Sequence, residues 1–255
     1  MNTLLESKGL NKSYRLGKNN EASVLKDVDL GVHEGEFVSI MGPSGSGKST
    51  LLYNLCGMDR MSSGEVHFAD RALSRLSEKE LAKLRLEEMG FIFQQIHLLS
   101  NLTIFDNIIL SGYLAKRTGR TAVERRAKEL MEITGIAALA GNSIAQASGG
   151  QLQRVGICRA LINEPRILFG DEPTGALDSR SATEIMDLLR EVNAWGTTIM
   201  LVTHDVRVAA RSDRVLFMMD GRITAEKELG RYSGSGASLR AREEALTGWL
   251  LEQAA

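Results

Sequence analysis

The feature that most constrains the fold is a glycine-rich segment that directly follows a short apolar run. The run, Phe37–Met41, has the length and composition of a buried strand. Glycines after such a strand allow the backbone to turn its N–H groups inward, and a helix that begins near Lys48 directs the positive end of its dipole to the same place. Strand, anion-binding loop and helix are therefore predicted in that order. The segment contains Gly42, Pro43, Ser44, Gly45, Ser46, Gly47, Lys48, Ser49 and Thr50.

This pattern predicts a site for a nucleoside triphosphate, because phosphate oxygens fit a loop lined by backbone donors. Lys48 is placed to reach the β- and γ-phosphates, and the Ser49 hydroxyl is placed to bind Mg²⁺. Thr50 is placed to contact the α-phosphate. The alternative is a flexible glycine turn without a ligand, which the preceding strand and the following Leu51 and Leu52 disfavour.

Composition narrows the class of protein. The chain has 255 residues, 43% of them hydrophobic, which is enough for a substantial core in one domain with subdomains. A formal net charge of -1 and the absence of a basic stripe argue against a nucleic-acid partner. Cys56 and Cys158 lack metal-ligand spacing and are interpreted as buried small hydrophobes. No apolar run has the length of a membrane helix or a signal peptide, so action at a membrane would require another protein to hold the chain there.

Apolar runs alternate with helical patterns, as in an α/β protein. The strand-rich region from Leu4 to Phe68 predicts a small antiparallel layer beside a parallel core. The stretch from about Gln95 to Gly149 shows helices but no convincing strand, and it predicts an inserted helical arm. Beyond Gly221 the pattern weakens, and the residues from Ser233 to Gly236 are interpreted as a flexible link. A last helix with an apolar face then either packs on its own domain, which base rates favour, or on a partner.

A second chemical signal is a strand that ends in two carboxylates. Ile167 to Phe169 are apolar, and Asp171 and Glu172 follow closely. An enzyme with a phosphate loop needs one acid near Mg²⁺ and one near water, so Asp171 is predicted to hold the metal. Glu172 is predicted to orient or deprotonate the attacking water. A solvated acidic turn before Pro173 is the simpler alternative.

A second glycine loop opens another predicted helix and makes the identification specific. Its residues are Ser148, Gly149, Gly150 and Gln151, followed by Gln153 and Arg154. The segment resembles the signature motif of ABC-transporter ATPases, and it lies upstream of the Asp-Glu strand as in that family. The resemblance extends from about Leu4 to Ile223, with Ala147 and Gly170 as tolerable departures from the usual residues.

The resemblance implies a fold and a division of the chain. The implied fold class is α/β, a P-loop NTPase (RecA-like) core with an antiparallel β subdomain and an inserted all-helical signature subdomain. Residues 1–224 would form the ABC ATPase domain, with the helical subdomain at about 95–160. Residues 225–255 would form a C-terminal linker and an amphipathic helix.

The resemblance also implies ATP, Mg²⁺ and a second copy of the chain. In the family, the signature loop of one subunit completes the ATP site of the other in a head-to-tail dimer. Ser148, Gly149, Gly150 and Gln151 would therefore face the γ-phosphate that the opposite subunit's Lys48 holds. Further matches are Gln94 at Mg²⁺ and the γ-phosphate, His204 as the switch histidine, Asp178 at the dimer interface and Tyr14 as the aromatic residue that stacks on adenine.

The segments from Gly90 to Leu99 and from Leu102 to Ile108 resemble the branch that serves macrolide exporters, lipoprotein-release systems and bacitracin-type detoxification systems. This resemblance implies a separate permease partner, a position at the cytoplasmic face of a bacterial membrane, and a peptide, antibiotic or lipoprotein substrate. A soluble ABC ATPase acting on DNA or ribosomes would need a long coiled coil or a second cassette. A regulatory ATPase of a cell-division or cell-wall complex, or an importer ATPase, remains an alternative.

Overall fold

A computed structural model describes residues 2–15, 17, 21–232, 234 and 236–253. The chain forms two compact units, one built from Met1–Leu81 with Thr198–Ala255 and the other from Ala82–Thr197. We refer to them as the first and second units. In the described part of the chain, no helix combines the length and apolar character needed to cross a membrane.

The described chain contains both strands and helices, as expected of an α/β protein. The strands β1 to β10 are Thr3–Arg15, Glu21–His33, Phe37–Met41, Ser63–Phe68, Arg71–Ala72, Met89–Phe93, Ile167–Asp171, Thr198–Val202, Arg214–Met219 and Arg222–Glu228. The α-helices α1 to α8 are Lys48–Leu55, Glu78–Glu88, Ile104–Ala115, Arg120–Ile133, Gly149–Leu161, Ser179–Ala194, Val206–Ala209 and Gly236–Gln253.

The first unit contains a parallel arrangement around β3. This strand pairs in parallel with β8 on one side and with β9 on the other. All residues of β3 and β8 are buried, which explains why their sequences are continuously apolar rather than alternating. The carboxyl ends of β3 and β8 therefore lie at one edge, where a ligand site is expected in such sheets.

The first unit also contains the predicted antiparallel layer, which confirms that reading of Leu4 to Phe68. Its strand order is β2, β1, β4, β5, and each neighbouring pair is antiparallel. Strand β2 is longer than the apolar run Val28 to Val32 that predicted it, because its pairing with β1 continues to Glu21. The added residues alternate in exposure and so give little hydrophobic signal.

Strand β10 was not predicted, since the sequence pattern weakens after Gly221. It pairs antiparallel with β9 and alternates between exposed and half-buried positions along its length. Only one face of β10 packs on protein. Besides Arg222, three of its seven residues are charged. A strand with this composition is difficult to separate from a loop by hydrophobicity alone.

Helix α8 packs on the first unit, which confirms the interpretation that the last helix docks on its own domain. Leu246 is fully buried with Met41, Ala210 and Val215, and Trp249 packs at the margin of this cluster. The Arg242 guanidinium also donates to the carbonyl oxygens of Ala210, Ser212, Leu229 and Gly230. In the predicted link before this helix, Ser233 and Ser235 lie outside the described residues.

The second unit joins a parallel pair of strands to a group of helices. Strands β6 and β7 pair in parallel, and α3, α4 and α5 share a buried core. The described residues between Gln95 and Gly149 contain one isolated bridge, Thr103 with Ser143, and otherwise helices and turns, as predicted. Burial raises the pKa of the Cys158 thiol to about 12. Cys56 and Cys158 are both buried, as predicted. The division into a domain of 1–224 and a tail of 225–255 stays a prediction.

Candidate functional site

The glycine segment has the predicted form of strand, loop and helix. Strand β3 ends at Met41 and helix α1 begins at Lys48. Gly47 is the N-cap residue, with a left-handed backbone at φ 101° and no side chain to cap the helix. The Leu51 N–H donates to the Gly47 carbonyl over 2.8 Å and starts the helical ladder. The positive end of the α1 dipole is thus directed into the loop.

Steric and polar features of this loop fit a phosphate group. A Cβ atom at Gly42 would lie 2.0 Å from the Met218 carbonyl oxygen, so only glycine fits there, whereas a Cβ at Gly45 would meet nothing within 4 Å. Ser46 is 3% exposed, and its hydroxyl has no hydrogen-bond partner within the described chain. The Lys48 ammonium donates to the Gly42 and Pro43 carbonyls over 2.8 Å each, so the cation lies over the loop. An anion at this position would meet both a cation and a buried hydroxyl.

His204 lies at the same edge of the first unit's parallel sheet as the glycine loop. It follows β8, whose residue Val202 pairs with Ile40, and the Thr203 N–H donates to the Ile40 carbonyl over 3.1 Å. Helix α7 begins after it with Asp205 as the N-cap, and the Asp205 carboxylate accepts from the Arg207 N–H over 2.8 Å. The loop and the histidine that the sequence predicts around one triphosphate are therefore brought to one edge.

Tyr14 lies near the end of β1, with 39% of its surface exposed. Its hydroxyl donates to the Asp59 carboxylate. Burial is the main cause that raises the pKa of the Tyr14 phenol, and this hydrogen bond is the second. Lys12 donates to the other oxygen of the same carboxylate over 2.6 Å. Lys12 and Asp59 were not predicted, because 47 residues separate them and neither belongs to a motif.

The second unit brings together Gln94, Asp171 and Glu172. Asp171 is the last residue of β7 and pairs with Phe93, the last residue of β6. Gln94 and Glu172 each follow directly, so they leave the carboxyl ends of neighbouring parallel strands. A Cβ atom at Gly175 would lie 3.0 Å from the Gln94 amide nitrogen, which places that side chain against the loop after β7.

Glu172 has an unusual backbone conformation for a residue with a side chain. Its φ angle is 47°, in the left-handed region, and its carbonyl accepts from the Gly175 N–H over 3.0 Å. A non-glycine residue there costs on the order of 1 to 3 kcal/mol, and such residues concentrate at functional sites. This strain belongs to the turn after β7, and no feature of the sequence predicts it.

The second glycine loop is adjacent to the start of α6. Ser148 caps α5, because its hydroxyl accepts from the Gln151 N–H over 3.3 Å while the Gln151 side chain accepts from the Ser148 N–H over 2.8 Å. A Cβ atom at Gly150 would lie 3.1 Å from the Ser181 hydroxyl. Asp178 caps α6 by accepting from the Arg180 and Ser181 N–H groups and from the Ser181 hydroxyl.

The hydrogen bond from the Ser181 hydroxyl is the main reason that the pKa of Asp178 is below its ordinary value. The second unit thus places the signature residues 148–151 beside the Asp178 cap.

The described residues contain no group of three or more His, Cys, Asp or Glu side chains that would hold a metal ion. The predicted donor set is of a different kind, since it comprises a hydroxyl, an amide and one carboxylate from Ser49, Gln94 and Asp171. Mg²⁺ is often held by one or two protein groups together with phosphate oxygens and water.

Comparison with known proteins agrees with this geometry. The family model described as ABC transporter matches residues 25–175. The macrolide export ATP-binding/permease protein MacB 1/2 of Paracoccus denitrificans is 46% identical over 227 residues, 89% of this chain and 34% of that protein. The pyoverdine export ATP-binding/permease protein PvdT of Pseudomonas syringae pv. tomato is 45% identical over 225 residues, 88% of this chain and 34% of that protein. The chain thus spans about a third of the length of these relatives.

A solved structure extends the comparison to the backbone. The ATP-binding cassette MJ0796, solved as a dimer in a post-hydrolysis state bound to ADP and Pi, has a TM-score of 0.82 and 39% sequence identity. The match covers 89% of this chain and 100% of the cassette. Together with the family match, this confirms the predicted α/β fold of a P-loop NTPase core. The chain belongs to the ABC transporter family.

Proposed function

We propose that this chain binds and hydrolyses ATP as the ATP-binding subunit of a membrane exporter. The observation that carries the proposal is the loop between β3 and α1, with the Lys48 ammonium lying over it. Support comes from the similar cassette that was solved with ADP and Pi, and from the relatives named as export ATP-binding/permease proteins. Residues 1–224 would form the catalytic domain.

The first unit would bind the nucleotide. Backbone N–H groups of the loop from Gly42 to Thr50 would surround the phosphates, and Lys48 would neutralise charge on the β- and γ-phosphates. The exposed Tyr14 ring would stack on adenine. His204 would contact the γ-phosphate from the same sheet edge as the loop.

The second unit would supply the groups for hydrolysis. Glu172 would act as the general base that accepts a proton from the attacking water. Ser49, Gln94 and Asp171 would hold Mg²⁺, which neutralises charge on the phosphate oxygens when it is bound. The neighbouring ends of β6 and β7 support a joint role for Gln94, Asp171 and Glu172.

A second copy of the chain would complete each ATP site. Residues 148–151 of that copy would face the γ-phosphate, Asp178 would lie at the interface between the copies, and ATP would join the two copies head to tail. The dimeric state of the similar cassette supports this arrangement. Dimerisation that depends on ATP would convert nucleotide binding into a change of shape.

This chain would act on an integral-membrane permease and would be bound to it peripherally at the cytoplasmic face of the membrane. The relatives are named for the export of macrolides and pyoverdine, and we infer a peptide, antibiotic or lipoprotein as the class of substrate. The permease would determine which substrate is transported, since the site residues proposed in this chain serve only ATP binding and hydrolysis.

The central test replaces Glu172 with Gln. The side chain keeps its shape and the turn keeps its backbone strain, so ATP affinity should stay within twofold while turnover falls about 100-fold or more. Glu164→Gln is the matched control. Glu164 lies shortly before the first residue of β7, far along the strand from Glu172, and its side chain is 74% exposed. Steady-state phosphate release and isothermal titration of ATP measure the two quantities. Turnover of Glu172→Gln equal to that of the control would contradict the assigned base.

The same variant tests the partner. A tagged Glu172→Gln chain, purified with ATP from detergent-solubilised native membranes, should retain a permease because hydrolysis no longer opens the dimer. Recovery of an integral-membrane protein by mass spectrometry supports the exporter proposal. Recovery of cell-wall enzymes, ribosomes or DNA alone would contradict it and leave the ATPase chemistry intact.

A further inference from the structure

The aromatic ring predicted to stack on adenine is held by a network of charged side chains. The Tyr14 hydroxyl donates to one oxygen of the Asp59 carboxylate. The Lys12 ammonium donates to the other oxygen over 2.6 Å, and also to the Arg60 carbonyl over 2.6 Å. Asp59 therefore accepts hydrogen bonds from a cation and a phenol at once, and neither Lys12 nor Asp59 belongs to a motif of the sequence.

Lys12 also contributes directly to the environment of the ring. Its side chain is only 10% exposed, and its ammonium lies over the Tyr14 ring, 4.6 Å from the centroid. A cation at this distance is attracted by the ring face. One face of the ring is thus occupied by the lysine, while 39% of the tyrosine surface is open to a planar ligand.

The backbone of Asp59 is fixed to the helix that follows the phosphate loop. The Asp59 N–H donates to the Tyr53 carbonyl in the last turn of α1 over 3.0 Å, and the Met58 N–H donates to the same carbonyl over 2.9 Å. Strand β1 and the end of helix α1 are therefore joined through Tyr14 and Asp59.

We propose that Asp59 is a positioning residue for the nucleotide base, which fixes the Tyr14 ring relative to the phosphate loop with Lys12 as its counter-ion. The proposal rests on the proposed ATP binding. Without the Asp59 anchor the ring would have to be ordered by the ligand, which weakens binding of a base but leaves binding of phosphates unchanged.

The expected effect is specific to ligands that carry a base. In Asp59→Asn the ATP dissociation constant should rise roughly three- to tenfold, as expected for one side chain that must be immobilised on binding. The dissociation constant of inorganic tripolyphosphate, which has no base, should not change. Asp70→Asn is the matched control, since it removes an exposed carboxylate from the turn between β4 and β5 of the same unit.

Asp59→Asn removes the counter-ion of the buried Lys12 and could impair folding, so a second variant is needed. Tyr14→Phe keeps the ring and removes only the hydroxyl at a half-exposed site, so the fold should be retained. Its ATP affinity should fall by the same factor as that of Asp59→Asn. The double variant should lose no more than either single one, because both changes act on the same hydrogen bond, that between the Tyr14 hydroxyl and the Asp59 carboxylate.

Isothermal titration of ATP and of tripolyphosphate, each with Mg²⁺, decides the outcome for the full chain. A loss confined to ATP and not additive between the two sites supports the proposal. Equal losses for both ligands, additive losses, or unchanged ATP affinity would overturn it. Equal affinity of the unaltered chain for ATP and tripolyphosphate would overturn it while leaving the ATP site itself standing. Failure of the unaltered chain to bind either ligand would overturn the proposed function as well.

Discussion

The two glycine loops open their helices in opposite ways. At α1 the N-cap residue is Gly47, whose left-handed backbone carries no capping side chain. At α5 the N-cap is Ser148, and it forms a complete capping box with Gln151. A capping box satisfies two backbone donors within the chain itself. The first loop therefore offers its helix end to an outside anion, whereas the second has a serine hydroxyl already positioned on its own helix.

The glycines also have different reasons to be glycine. Gly42 has φ 149° and lies so close to Met218 that no Cβ fits, so the first unit itself requires it. Gly149 has no left-handed backbone, and a Cβ there would meet Leu177 only at 3.8 Å, an ordinary contact. The fold of the second unit does not require glycine at position 149. The proposed close approach of a second copy would supply a requirement from outside the subunit.

Gly42→Ala is expected to have the largest effect on stability, and comparison with Gly149→Ala distinguishes the two loops. Steric overlap with the Met218 carbonyl together with the strained φ should lower the free energy of unfolding by roughly 2 to 6 kcal/mol. Gly149→Ala should leave it unchanged or raise it by about 0.5 to 1 kcal/mol, since alanine favours helix. Urea unfolding followed by circular dichroism measures both. Equal destabilisation at the two positions would remove the distinction between the loops.

Lys48→Ala sharpens the comparison at the level of binding. It removes a cation that lies over the first loop, and a charge-assisted hydrogen bond contributes about 1.5 to 3 kcal/mol, so ATP affinity should fall roughly 10- to 100-fold. Arg154→Ala is the control in the other unit, since Arg154 lies in α5 and pairs with Glu184 over 2.8 Å. Its ATP affinity should match that of the unaltered chain. Tight ATP binding by Lys48→Ala would argue against the first loop as the phosphate site.

Sequence reasoning succeeded where one local pattern determines one element. The phosphate loop was predicted because strand, glycines and lysine are contiguous, and α5 was predicted because a second glycine loop directly precedes a helical pattern. The apolar face around Leu246 likewise predicted that α8 would dock. Each of these signals lies within a single turn or a single helix.

Features that depend on distant residues or on backbone strain could not be predicted in this way. The link between Lys12 and Asp59 joins residues 47 positions apart and follows no periodicity. The left-handed backbone at Glu172 depends on the turn that Gly175 closes, and glutamate itself gives no sign of it. The four carbonyls that accept from Arg242 join α8 to two separate segments of the chain, 210–212 and 229–230.

A smaller effect, on association rather than on the subunit, is expected for Ser148→Phe. The bulky ring would occupy the space in front of α5 where the second copy's γ-phosphate is proposed to lie. ATP affinity of the subunit should be unchanged, while turnover should fall about tenfold or more, which corresponds to 1.4 kcal/mol. Light scattering with ATP measures the dimer, and Ser143→Phe serves as a control at the exposed cap of a neighbouring turn. A closed and active Ser148→Phe dimer would exclude a shared site.

The smallest effect is expected for Ser148→Ala, and it tests whether the cap at α5 works for the fold or for the partner. Loss of an N-cap side chain costs typically about 1 kcal/mol, so the second unit should unfold at slightly lower urea while ATP affinity stays the same. Gly47 has no side chain to lose, so α1 offers no equivalent change. If Ser148→Ala loses stability but retains turnover, the hydroxyl serves mainly the helix. If turnover falls about tenfold while stability is retained, the hydroxyl is held by Gln151 for a phosphate of the second copy, and the difference between the loops is one of function rather than of helix capping.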